Sequence, residues 1–179
     1  MYFNVIQYCG YVSSDIEDYV FTIPNFTNII DYVNTTRECI SKEEYRHYPN
    51  TILKTKLAIQ FYKHYLICSA NNDIESAFYA ILHAAWDCDD LGDTYAAVFC
   101  RKLAIEEINK LILATPHLEE LKVQKADLLR RTGMFTCVIE DYGSINLSDN
   151  ILQKIILFQI EKSKVHDNKC YTVADVLNS

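Results

Sequence analysis

Tyr79, His83 and Asp87 follow one another at intervals of four, so a helix through them sets a phenol, an imidazole and a carboxylate in line along one face. A carboxylate that orients an imidazole beside a nucleophile is the arrangement that acid–base and nucleophilic catalysis require. The surrounding Ala77, Ala80, Ala84 and Ala85 weigh the other way, because small residues at this density report close helix packing. Gly10, Gly92, Gly133 and Gly143 are isolated, and no glycine-rich loop is present to cradle a phosphate. The reading is therefore non-enzymatic.

Asp87, Asp89, Asp90 and Asp93 open like a calcium loop, Asp-x-Asp-x-x-Gly. Leu91 stands where the fifth-position oxygen ligand belongs, and Val98 stands where the bidentate Glu belongs, so coordination is incomplete. Asp93 instead suits the cap of a helix starting at Thr94. Asp87, Asp89 and Asp90 fall near the C-terminal end of their helix, where carboxylates oppose the helix dipole. The patch reads first as an ordinary charged helix end and solvated turn, and that conflict makes it a weak pointer to a partner-binding surface.

Zinc calls for about four thiolate, imidazole or carboxylate ligands. His47, His64, His83, His117 and His166 are scattered, and Cys9, Cys39, Cys68, Cys88, Cys100, Cys137 and Cys170 include no Cys-x-x-Cys. An odd, dispersed set reads as free thiols in a reducing, cytoplasmic compartment. No cofactor is expected. A metal site assembled from distant residues, Cys9 with Cys39 and His47, is the basis of the alternative reading, a zinc-associated enzyme or regulator. The aromatic series Tyr45, Tyr48, Phe61, Tyr62, Tyr65, Phe78 and Tyr79 either fills a core or lines a groove for a peptide or an identical subunit. Candidate binding residues are Tyr62, Tyr65, Tyr79, His83, Asp87 and Asp90.

These side chains need positioning elements, and composition selects helices. The chain of 179 residues is 50% apolar with only 4 Gly and 3 Pro, too few to turn a many-stranded barrel. A net charge of -7 without a basic block repels a phosphate backbone, so no nucleic acid is expected. Met1 to Gly10 has no secretory character, and no long uncharged apolar run suggests a membrane. Residues 1–50, with Pro24 and Pro49, form an irregular or mixed segment in which Tyr19 to Ile23 suits a short strand.

Helical text fills residues 51–179. The first helix is expected from Ile52 to about Ala70 with Thr51 as its cap, and the second from Asp73 to about Asp90. The third spans Thr94 to Ala114, with Ala97, Cys100, Ala104, Ile108 and Leu111 on one face. Thr115-Pro116 opens the fourth, which ends at Arg131 before Gly133. Shorter helices follow over about Phe135 to Ser144, Asn150 to Lys164 behind a Ser148-Asp149 cap, and a turn after Thr172. Connections this short make neighbours antiparallel.

Around Gly92 the chain supplies Leu91-Gly92, Tyr95, Ala104, Ile108 and a closing Pro116, which resembles the tetratricopeptide pattern. Cys88 takes the usual tryptophan place, and Trp86 falls two positions early. Leu128 to Ser144 resembles a second, looser unit whose Gly133 comes 41 positions after Gly92, so the repeat period is not kept. The resemblance covers roughly residues 73–165 and implies an all-α stack of antiparallel hairpins. Phe3 to Tyr11 is also similar to the start of a family of bacterial cytoplasmic proteins that join a Cys-x-x-Cys-Gly-Tyr zinc knuckle to a helical repeat domain. Cys9 matches the second cysteine of that knuckle, and Ile6 replaces the first. That likeness implies a relative that kept the fold and lost the metal. The expectation is a scaffold whose partner is another protein or peptide, or a second copy of the chain.

Overall fold

The same turn ends four helices of the computed structural model, which describes residues 4–6, 11–13 and 51–177. Asn72, Gly92, Gly133 and His166 each adopt a left-handed backbone, with φ of 59°, 71°, 80° and 54°. The next residue in each case donates its N–H back to the carbonyl five positions earlier: Asp73 to Cys68, Asp93 to Cys88, Met134 to Leu129 and Asp167 to Lys162. This closure satisfies carbonyls that a helix end leaves orphaned, and it reverses the chain within about three residues.

The described residues contain seven helices: α1 Lys56–Ala70, α2 Ile74–Asp90, α3 Thr94–Ala114, α4 Glu119–Arg131, α5 Phe135–Tyr142, α6 Asn150–Lys164 and α7 Val173–Leu177. Two three-residue strands, β1 Asn4–Ile6 and β2 Tyr11–Ser13, pair antiparallel with Val5 opposite Val12. The strand expected over Tyr19 to Ile23 lies outside the described residues. The described residues are mostly helical, as expected, and their helices pack as hairpins.

Two boundaries differ from the sequence reading. Helix α1 begins at Lys56 because Thr55, not Thr51, is its cap; the Thr55 hydroxyl accepts the N–H of Ala58 at 3.0 Å. Helix α4 begins at Glu119, behind a turn in which the Leu118 N–H reaches the Thr115 carbonyl. Pro116 therefore belongs to the turn rather than to the helix.

Two compact units part inside α3, between Cys100 and Arg101. The division expected at residue 50 falls at the edge of the described residues. In the first unit, Ala58, Phe61, Tyr62, Tyr65 and Cys68 of α1 are buried, as are Ala77, Phe78, Ile81, Ala84, Ala85 and Cys88 of α2. Alanine supplies much of this core, since a side chain of one carbon lets facing backbones approach closely. The second unit is organised around Val123, Ala126, Leu129, Val138, Tyr142, Leu147, Ile156 and Ile160, drawn from α4, α5, α6 and the loop after α5. Along α3, Ala97, Cys100, Ala104 and Ile108 are fully buried, whereas Lys102, Glu106, Asn109 and Lys110 are exposed. Among the described residues no helix is long and apolar enough to cross a membrane.

Candidate binding face on the second helix

Helix α2 is positioned at both ends by aspartates. Asp73 caps its start by accepting the Ser76 N–H. At its far end Asp87 reaches across the hairpin to α1, where its carboxylate accepts the Thr55 hydroxyl and, at 3.1 Å, the Ala58 N–H. The antiparallel arrangement thus answers the dipole conflict read from the sequence. Asp87 opposes the dipole of its own helix but sits at the positive end of α1. Asp93, just beyond α2, pairs with the Lys54 ammonium at 2.6 Å and accepts the Ala96 N–H. Those two donors hold its carboxyl below the ordinary aspartate range.

The outer face of α2 is a single stripe. Its exposed residues are Glu75, Tyr79, Trp86 and Asp90, and at about 100° per residue they fall within roughly 60° of arc. Tyr79 is 38% exposed and Trp86 44%, a large aromatic area to leave in water. His83 lies on the flank of the stripe, stacked on Phe61 at 5.1 Å and met edge-on by Trp86 at 4.9 Å. The three rings form a ladder from the α1–α2 interface to the surface. Beside it is a cavity of about 300 Å³ lined by Phe61, His64, Glu75, Ser76, Tyr79, Ala80 and His83. The side-chain carboxylates of Glu75 and Asp90 make no hydrogen bond or ion pair with other described residues. Helix α2 carries Glu75, Asp87, Asp89 and Asp90 and no Lys or Arg.

The expected binding residues therefore divide. Tyr79, His83 and Asp90 share the outer face of α2. Tyr62 and Tyr65 are buried, their rings 5.8 Å apart, with Phe99 6.0 Å from Tyr62, and so they lie in the core of the first unit rather than on this outer face. Asp87 is a cap. Its carboxylate is committed to α1, and His83 is engaged by rings, so the Tyr79–His83–Asp87 line is a series of separate contacts rather than a proton relay. The thiol of Cys68 lies 3.7 to 3.8 Å from the ring nitrogens of His64, but Cys68 is fully buried and out of reach of a substrate.

Cys9, Cys39 and His47 lie outside the described residues, among which no three His, Cys, Asp or Glu side chains gather as metal donors. Trp86 is the residue that sequence reasoning passed over. Its signal was present: 86 falls on the same helical stripe as 75, 79 and 90, away from the alanines. No protein family, curated protein or solved structure gives a match to this chain.

Proposed function

We propose that this chain is a non-enzymatic helical-hairpin module that binds another protein or a peptide through the outer face of α2. The observation that carries the reading is the exposure of Tyr79 and Trp86 on one stripe beside a cavity. Trp and Tyr supply large contact area at small entropic cost, and they dominate the binding energy of interfaces where they occur. His83, held between Phe61 and Trp86, fixes the ladder before a partner arrives, which lowers the cost of ordering it.

The tetratricopeptide-like register belongs to the same proposal. It is supported by the left-handed Gly92 at the α2–α3 turn and by the burial of Ala104 and Ile108. A cytoplasmic setting is also proposed. Cys68, Cys88 and Cys100 are free thiols packed as small apolar side chains, which suits a reducing compartment.

The test is selection of peptides from a displayed random library against the full chain, followed by binding to Tyr79→Ala and Trp86→Ala. The expected result is enriched sequences whose affinity falls at least about thirtyfold in the Trp86 variant, the loss typical of a hot spot. Circular dichroism of each variant should match the parent. Failure to enrich any sequence, or binding to both variants as tight as to the parent, would contradict the proposal.

A further inference from the structure

Resting on that reading, we infer that the occupant of the α2 face is a cationic segment, a short stretch of chain bearing Lys or Arg. Four features of the face converge on this chemistry. Its exposed carboxylates, Glu75 and Asp90, bracket the two exposed aromatics and have no intramolecular partner among the described residues. The helix that carries them has no Lys or Arg to compete for those carboxylates, and its one imidazole, His83, is held between the Phe61 and Trp86 rings. An aromatic face attracts an ammonium or guanidinium through the ring quadrupole, and Tyr79 and Trp86 offer such faces between the two acids. The protein as a whole bears a charge of -7, which favours the approach of a cation.

Distance sets the size of the segment. From Glu75 to Asp90 the helix rises about 22 Å, which an extended peptide covers in about seven residues. Tyr79 and Trp86 are about 10 Å apart along the axis, or about three peptide residues. The segment that fits has a cation at each end for the carboxylates and at least one within it for the rings. An acidic segment would place like charges opposite Glu75 and Asp90, and repulsion would exclude it.

The sequence contains one tryptophan among 13 tyrosines, so emission excited at the red edge of absorption, where tyrosine is silent, reports on this face alone. The full chain is titrated with three capped heptapeptides of equal length: one with arginine at positions one, four and seven among alanines, one with glutamate at those positions, and one with glutamine. The expected result is a saturable change in Trp86 emission with the arginine peptide only. Its affinity should drop about tenfold in the Glu75→Gln, Asp90→Asn double variant and fall as salt rises from 0.05 to about 0.3 M. The surface substitutions leave the fold intact, which the unchanged circular dichroism of the variant checks.

Equal binding of the glutamine peptide, or an arginine affinity unmoved by the double variant, would overturn the cationic assignment and leave the peptide-binding reading standing. A Trp86 signal that changes with protein concentration alone would make a second copy the occupant and overturn it as well. No response to the arginine peptide, when sequences selected from the library bind at Trp86, also overturns it. If neither the arginine peptide nor any library sequence binds, both proposals fall together.

Discussion

At the scale of single residues, Asp87 and Arg130 show charge doing structural work. Asp87 gives α1 a second acceptor at its N-terminus, alongside the Thr55 hydroxyl. Asp87→Ala should cost about 0.5–2 kcal/mol of stability, the usual value of a lost cap, whereas Asp90→Asn should change stability by less than about 0.5 kcal/mol; urea unfolding of both variants checks the contrast. Arg130 is fully buried, and its guanidinium donates to the Gln159 side chain, to the Asp167 and Lys169 carbonyls at 2.8 Å and to Asp127 at 2.9 Å. Tyr171 covers it, with its ring centre 5.6 Å away, and the Tyr171 hydroxyl donates to Asp167 at 2.6 Å. Arg130 and Arg131 stand in the last turn of α4, where cations suit the helix dipole, a local feature; that a single arginine fastens the C-terminal tail depends on partners 29 to 39 positions away. Arg130→Ala leaves the buried Gln159 side chain without its donor and frees the tail carbonyls of Asp167 and Lys169, and a loss of at least about 1–3 kcal/mol is expected by urea unfolding, together with early proteolysis after residue 166.

Elements were the most legible level. The ends of α2, α3, α6 and α7 follow from Asp73, Asp93, Asp149 and Thr172 as helix-start residues and from Asn72 and Gly92 as left-handed stops, all of them local signals. The start of α1 was misread because Thr51 and Thr55 offer the same side chain. The choice between them is made by Asp87, 32 positions away on the neighbouring helix. The left-handed His166 was not anticipated either, since histidine carries none of the glycine signal. These positions predict opposite responses to substitution. Gly92→Ala and Gly133→Ala should each cost about 1–2 kcal/mol, because a side chain raises the energy of a left-handed backbone even where nothing crowds it. His166→Gly should relieve the same kind of strain, offset in part by loss of the Phe135 ring contact at 5.0 Å. Thermal unfolding of the three variants checks the order. Ala84→Leu, placed where α2 is fully buried, should cost about 1–3 kcal/mol by overpacking.

Over the whole molecule, acidic residues tie helix ends together, and stability should depend on pH accordingly. Lys54 and the Ala96 N–H hold Asp93 below its ordinary range, Ser148 does the same for Glu119, and Tyr171 for Asp167. Each group binds a proton less readily folded than unfolded. Their contribution is therefore complete above the ordinary carboxylate range and is lost as pH falls through roughly 4 and below. The urea midpoint should be level between about pH 7 and 5 and drop on further acidification; a midpoint that rises there would contradict these contacts. Function was less legible than fold. The polar stripe of α2 could be read from spacing, but Tyr62 and Tyr65 could not be told from Tyr79, because helical phase separates buried from exposed only once the packing partner is known. The most direct test is the Trp86 indole resonance in a proton–nitrogen correlation spectrum of the full chain, recorded with and without a peptide selected to bind it. A shift of that resonance, confined with its neighbours to α2 and the adjoining part of α1, is the predicted result; an unmoved indole signal while residues of α4 to α7 respond would contradict the assignment of the binding face.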